Sequence, residues 1–198
     1  MRPGLALIVA GVAAWMPPAA LTAAGPTTTI TVRVYQSAGL TPALEQRALE
    51  GAAAALRPAL VEVRWRICTG PNRSTACDRR PDPSELSLRI VPEGSPGWNA
   101  SITLGTAYVA PRVGGVLATV YFGHVERLAR ETHTDVAVLL GRAAAHELGH
   151  LLMRTSAHPS CGLMRANWTQ KELQRNRPPD WAFTGGDVVA MRHLSPGH

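Results

Sequence analysis

Residues 136–164 read VAVLLGRAAAHELGHLLMRTSAHPSCGLM, an apolar run that ends in an H-E-x-x-H motif and continues into a loop with another histidine. The run predicts a helix from Asp135 to about Met153. Residues four apart share one face of a helix, so the imidazoles of His146 and His150 can meet at one metal ion, with Glu147 beside them. Burying these polar groups in an apolar helix would be costly unless an ion satisfied them.

His158 is the expected third ligand, eight residues after His150. Residues 155–160 break the helix, and four residues of returning chain span up to about 13 Å. The helix advances only roughly 6 Å past His150, so the imidazole of His158 can return to the metal. Imidazole is a favoured zinc ligand, and catalytic zinc takes three protein ligands and one water. The sequence thus predicts a Zn²⁺ site at His146, His150 and His158.

Two other residues compete for the third ligand position. Glu172, on the next predicted helix, would define a different class of zinc site, but it would leave His158 without a role. Cys161 lies three residues beyond His158, and its thiolate would be an excellent zinc ligand. A thiolate would also make the zinc ion less electrophilic, so histidine suits a hydrolytic site better.

Upstream of the motif, strand patterns alternate with helix patterns. β-Branched residues alternate along residues 28–35, and Thr41-Pro42 marks the start of a helix that Pro58 ends. Further strands are predicted at residues 60–68, 85–91, 102–109 and 116–122, and further helices at 124–131, 169–174 and 186–194. This order predicts an α+β fold, with a mixed sheet of about five strands, a crossover helix, helices on one side and a small helical C-terminal part.

Composition and charge narrow the class of protein. The 198 residues are 45% hydrophobic and 17% charged, as expected for one globular domain. Twenty Lys and Arg residues against 14 Asp and Glu residues give a net charge of +6. The charges are scattered along the sequence, so no nucleic-acid partner is expected. A module that binds an anionic polymer would need the arginines to cluster on one face of the fold.

The N-terminus has the pattern of a secretory signal peptide. Arg2 precedes an uncharged apolar run over residues 5–16, and Pro17-Pro18 and small residues follow. The run of about 12 residues is shorter than the about 20 that cross a bilayer, with an uncleaved anchor as the alternative. We therefore expect a signal peptide at residues 1–24. The mature domain, residues 25–198, is expected to be secreted or periplasmic and free of the membrane.

Three cysteines follow the predicted signal peptide. Cys68 and Cys77 flank one short loop, and export permits disulfides, so these two are expected to pair. Cys161 is then left over beside the predicted metal ligands.

The segment from His146 to Met164 resembles the active site of the metzincin zinc peptidases. Their pattern is an H-E-x-x-H helix, a third histidine downstream and a methionine-bearing turn beneath the metal. The segment is most similar to short secreted bacterial zincin-like proteins. It departs from the metzincin pattern at Met153 and Ser156, where metzincins have a glycine and the third histidine. The resemblance implies a zincin-like domain in which Met164 supports the metal ligands.

The resemblance implies a secreted zinc-dependent endopeptidase, expected as a monomer, that acts on peptide or protein substrates. Zinc lowers the pKa of a bound water toward about 7, and Glu147 would accept its proton as the general base. An extended substrate could add to the fourth strand at the sheet edge, as in metzincins. The main alternative is a non-catalytic, zinc-stabilised exported binding protein.

Three polar residues and three tryptophans lie outside the predicted metal site. Candidates for stabilising a substrate oxyanion are Tyr108, Tyr121 and His124, with a packing or surface position as the alternative for each. Two tryptophans near the C-terminus, Trp168 and Trp181, either pack this part of the chain or line a cleft, and Trp98 shares these two alternatives.

Overall fold

The fold described here is that of a computed structural model, which describes residues 27–93, 103–110 and 114–193. The predicted signal peptide, residues 1–24, and Trp98 lie outside these ranges. The strands of the described part are β1 (Thr28–Gln36), β2 (Val61–Ile67), β3 (Leu86–Val91), β4 (Gly105–Ala110) and β5 (Gly114–Tyr121). Its α-helices are α1 (Pro42–Leu56), α2 (Phe122–Thr132), α3 (Val136–Met153), α4 (Gln170–Arg175) and α5 (Gly185–His193).

The five strands form one mixed sheet in the order β2-β1-β3-β5-β4. β1 pairs in parallel with both β2 and β3, and β3 pairs in parallel with β5. β4 runs antiparallel to β5 and stands last in this order, at one edge of the sheet. The mixed five-stranded sheet and its helices confirm the predicted α+β fold.

The crossover helix α1 begins as its sequence predicts. The Thr41 hydroxyl accepts a hydrogen bond from the Leu44 amide at 3.3 Å, and Pro42 occupies the first turn, where no amide donor is needed. α1 then packs closely on α3 at Gly141. A Cβ atom added to Gly141 would lie 2.6 Å from the Ala48 carbonyl oxygen. The absence of a side chain at Gly141 therefore sets how closely α3 can approach the crossover helix.

The core lies between the sheet and the helices. On β1 the alternate residues Ile30, Val32 and Val34 are buried, as the strand pattern predicts. They belong to the same apolar cluster as Leu140 and Leu148 of α3. Helix α3 also contacts β4 and β5, which places its polar residues beside the edge strand.

The opposite face of β1 carries a buried ion pair that the sequence did not reveal. Arg33 is 2% exposed, and its Nε donates to the carboxylate of Glu85 at 2.6 Å. Its Nη1 donates to the Arg79 carbonyl at 2.9 Å. A disulfide joins Cys68 and Cys77, which confirms the predicted pairing. Arg79 follows the loop that this disulfide closes. The chain around this loop covers the Arg33 guanidinium. The alternating pattern of β1 would otherwise place that side chain in solvent.

Within the described ranges, no helix combines enough length with enough apolar sequence to span a membrane.

Candidate metal centre

Helix α3 holds three polar side chains in the interior. Its first turn is capped by Asp135, whose carboxylate accepts from the amides of Ala137 and Val138 at 2.9 and 3.1 Å. His146, Glu147 and His150 are only 8%, 6% and 5% exposed. The helix ends at Met153, because Arg154 adopts a left-handed conformation with φ 50° and turns the chain back.

The loop after α3 brings a third imidazole to the other two. The Nε2 atoms of His146 and His150 are 3.1 Å apart, and those of His150 and His158 are also 3.1 Å apart. The Nε2 atoms of His146 and His158 are separated by 3.3 Å. Among the described residues, these three histidines are the one group of metal-binding side chains whose ligand atoms converge.

Backbone carbonyls determine which nitrogen of each helical imidazole faces the other histidines. His146 Nδ1 lies 2.9 Å from the Leu163 carbonyl oxygen, and His150 Nδ1 lies 2.7 Å from the Thr155 carbonyl oxygen. Since a carbonyl can only accept, both Nδ1 atoms must carry the proton. In the neutral imidazole the Nε2 lone pair is then free to bind a metal ion.

This donor set fits zinc. Tetrahedral ligands about 2.1 Å from a zinc ion stand about 3.4 Å from one another, close to the spacing of the three Nε2 atoms. Burial lowers the pKa of His146 to about 4 and also lowers the pKa of His150, so both rings are neutral near pH 7. The Nε2 lone pairs of His146 and His150 face each other with no hydrogen to share, and a cation satisfies both of them.

The methionine turn lies directly under α3. Gly162 adopts φ 77°, and the next residue, Leu163, donates its amide to the Ala182 carbonyl at 2.8 Å. Met164 is fully buried, and a Cβ atom on Gly149 would lie 2.7 Å from its sulfur. Met164 therefore packs against α3 at Gly149, which lies between His146 and His150 in the sequence.

Neither competing ligand joins the three histidines. The carboxylate of Glu172 accepts from the Thr169 amide at 2.9 Å and from its hydroxyl at 2.6 Å. It also lies 3.4 Å from the Arg165 guanidinium. Glu172 is thus engaged at the N-terminus of α4, and Cys161 is an exposed free thiol outside the cluster.

Glu147 shares a cavity of about 630 Å³ with the three histidines. Residues 103–107, which lead into and form the start of the edge strand β4, line the same cavity. A Cβ atom on Gly105 would lie 2.7 Å from Glu147 Cγ, so the strand approaches the carboxylate closely. Burial raises the pKa of Glu147 to about 8.

The three candidates for oxyanion stabilisation lie elsewhere. Tyr108 is 70% exposed, and none of the three lines the cavity. The Tyr121 hydroxyl lies 3.2 Å from the Thr106 hydroxyl, and His124 Nδ1 lies 2.8 Å from the Thr103 carbonyl oxygen. Tyr121 and His124 therefore hold the beginning of the edge strand in place.

The tryptophans separate into two roles. Trp168 lines the cavity and donates its indole N–H to the Leu163 carbonyl at 3.3 Å. Trp181 is buried behind it, with the two ring centroids 5.4 Å apart. The sequence could not distinguish these roles, because they depend on how the chain after α3 folds back onto the helix.

Comparison with known proteins identifies the fold class. No family model matches the sequence, and no curated protein matches it. Archaemetzincin from Methanopyrus kandleri matches with a TM-score of 0.51 at 19% identity, over 88% of this chain and 98% of that one. Metalloproteinase-II from Bacteroides fragilis matches with a TM-score of 0.51 at 15% identity, over 85% of this chain. The match covers 54% of that second protein, about half its length.

At these identities the likeness is one of fold. The chain shares the fold of archaemetzincin and metalloproteinase-II, and it carries three converging histidines on its long helix and the following loop.

Proposed function

We propose that the chain is a zinc-dependent endopeptidase that hydrolyses peptide bonds of peptide or protein substrates. The observation that carries the proposal is the convergence of the Nε2 atoms of His146, His150 and His158 to 3.1–3.3 Å in a cavity shared with Glu147. Zinc bound to these nitrogens would polarise a carbonyl and acidify a water molecule near neutral pH.

In this proposal Glu147 acts as the general base. Its carboxylate lies in the same cavity as the histidines, and it follows His146 directly on α3. Glu147 accepts a proton from the attacking water and later passes it to the leaving amine, which completes hydrolysis.

The edge strand supplies a place for an extended substrate. β4 pairs with β5 on one side, and its other side is an edge of the sheet. Residues 103–107 line the cavity, so a peptide added along this edge would pass the histidines and Glu147. Backbone hydrogen bonds would then present a peptide carbonyl to the metal.

The main rival is a non-catalytic zinc-stabilised binding protein. A structural zinc site takes four protein ligands, whereas three converge in the described part of this chain. A structural site also has no use for a buried carboxylate in an open cavity. Both features favour the peptidase.

The test is cleavage of a peptide library by the purified protein, with zinc content measured on the same sample. The proposal predicts one zinc per chain, cleavage that stops after chelation, and recovery of cleavage when zinc is restored. Stoichiometric zinc without cleavage of any peptide would favour the binding protein. Cleavage that persists after complete removal of metal would contradict a zinc mechanism.

We further propose that residues 1–24 are a signal peptide and that the protein works outside the cytoplasm. The Cys68–Cys77 disulfide supports this, because disulfides persist in oxidising compartments. Expression of the full chain in a bacterial host, followed by mass analysis of the exported fraction, tests the proposal. A cytoplasmic chain that keeps residues 1–24 would contradict it.

A further inference from the structure

Trp168 stands directly behind one of the three histidines. Its ring centroid lies 5.9 Å from that of His146 with an interplanar angle of 78°, an edge-on contact. Since Trp168 also lines the cavity, it forms the wall against which the His146 ring rests.

Trp168 and His146 also share one acceptor. The indole Nε1 donates to the Leu163 carbonyl oxygen at 3.3 Å, and His146 Nδ1 donates to the same oxygen at 2.9 Å. A carbonyl oxygen has two lone pairs and can accept both bonds. The amide of Leu163 is fixed in turn to the Ala182 carbonyl. The oxygen that orients His146 is therefore fixed from two sides, and Trp168 provides one of them.

Trp181, the neighbour of Trp168, differs from it in the hydrogen bonding of the indole N–H. Trp181 packs edge-on against Trp168, and the Arg142 guanidinium lies 3.9 Å from its ring centroid. The Trp181 indole nitrogen has no hydrogen-bond partner among the described residues. The two neighbouring indoles thus offer a matched pair in which one N–H has an acceptor and the other has none.

We infer that Trp168 is a positioning residue for the ligand His146, acting through the shared Leu163 carbonyl and through its edge-on ring contact. The inference rests on the metal site of the proposed function. Partners in the layer behind a metal ligand set the orientation of the imidazole and its basicity. Loss of the indole N–H should therefore change both the affinity for metal and the geometry of the bound ion.

The experiment compares Trp168→Phe with Trp181→Phe, since each substitution keeps a ring and removes one indole N–H. Zinc affinity is measured by competition with a chromophoric chelator, and ligand geometry by the visible absorption of the Co²⁺-substituted protein. Trp168→Phe should weaken zinc binding by about 10-fold, the lower end of the range for such partners, and shift the Co²⁺ bands. Trp181→Phe should leave affinity within about twofold and the bands unchanged, because its N–H has no acceptor to lose.

The outcomes separate the two proposals. Absence of zinc binding in the unsubstituted protein would overturn the proposed function and this inference together. Zinc binding in the unsubstituted protein, with wild-type affinity and an unchanged Co²⁺ spectrum in Trp168→Phe, would overturn the inference alone. If Trp168→Phe does not fold, Trp168→Tyr provides the same comparison, because it retains an aromatic ring and lacks the indole N–H.

Discussion

The backbone carbonyls of Leu163 and Thr155 determine which ring nitrogen of His146 and His150 faces the site. Each accepts an Nδ1–H and leaves Nε2 toward the site. The meeting of His146 and His150 was predictable from sequence, because helix geometry is local. The carbonyl partners were not, since they depend on the backbone path of a loop that no periodic pattern describes.

The sequence shows only that the loop after α3 is long enough to bring the third histidine back to the other two. A short returning loop can bring His158 back, but sequence alone left Glu172 and Cys161 open as well. The structure shows why Glu172 is unsuitable, since its carboxylate completes a capping box with Thr169.

Replacement of Glu147 by glutamine tests the role of the general base. The amide cannot accept a proton from water, so kcat/KM should fall by about 10²- to 10⁴-fold while zinc content and fold are retained. Peptide cleavage and metal analysis on the same sample provide the measurement. Glu131→Gln, at an exposed position on α2, is the matched control and should keep full activity. Equal activity in Glu147→Gln and Glu131→Gln would show that Glu147 is not the base.

The secondary-structure elements are the part of the fold that the sequence predicts best. Strand alternation and helix caps are encoded within a few residues, so the observed ends of α1 and α3 lie close to the predicted ones. The packing of one element against another could not be predicted in the same way, because it depends on residues far apart in the sequence. Helix α3 can lie close to the methionine turn because Gly149 has no side chain. The sequence does not show this, because the residues that Gly149 contacts come from other parts of the chain.

Alanine at Gly149 tests the packing of α3 on the methionine turn. The new Cβ would lie 2.7 Å from the Met164 sulfur and 2.8 Å from Phe183 Cε1. Such overpacking costs about 1–3 kcal/mol, more than the roughly 0.5–1 kcal/mol gained when alanine replaces glycine within a helix. The free energy of unfolding, measured in urea, should therefore fall.

Gly51→Ala is the matched control for this prediction. Gly51 also lies within a helix, α1, and among the described residues nothing beyond its chain neighbours and its own helical backbone lies within 4 Å of its added Cβ. Its free energy of unfolding should rise by roughly 0.5–1 kcal/mol. A gain of similar size in Gly149→Ala would mean that α3 does not rest on the turn as described.

The helices cover the apolar core on one face of the sheet, and a buried ion pair lies on the opposite face. Arg33 and Glu85, 52 residues apart, meet there under the loop that the disulfide closes. A mixed five-stranded sheet was predictable from the order of strands and helices. The buried pair was not, because an arginine in an alternating strand reads as a solvent-facing residue.

Glu85 makes stability depend on pH. Burial alone would raise its pKa, but hydrogen bonds from Arg33 and the Asp82 amide, with the charges of Arg33 and Arg66, bring it below its usual value. A carboxyl with a lowered pKa stabilises the fold above its unfolded pKa of about 4.3. That contribution disappears as pH falls through the folded value.

Glu85→Gln measures this contribution. At pH 7 the substitution leaves Arg33 buried without its counter-charge, so the free energy of unfolding should fall by about 3–5 kcal/mol. The difference from the wild type should begin to shrink as pH falls below the unfolded pKa of about 4.3, and it should disappear below the lower folded pKa, where Glu85 itself becomes neutral. Urea unfolding at both pH values provides the test, with Glu62→Gln at an exposed position on β2 as control. A pH-independent difference would contradict the ion-pair explanation.

The central claim is that His146, His150 and His158 together bind one zinc ion. Anomalous diffraction at the zinc edge, from crystals of the zinc-loaded protein, tests it most directly. The expected result is one anomalous peak about 2.1 Å from each of the three Nε2 atoms, with an open position facing the cavity. A peak bonded to the sulfur of Cys161 or to the carboxylate of Glu172, or no peak at the three histidines, would contradict the claim.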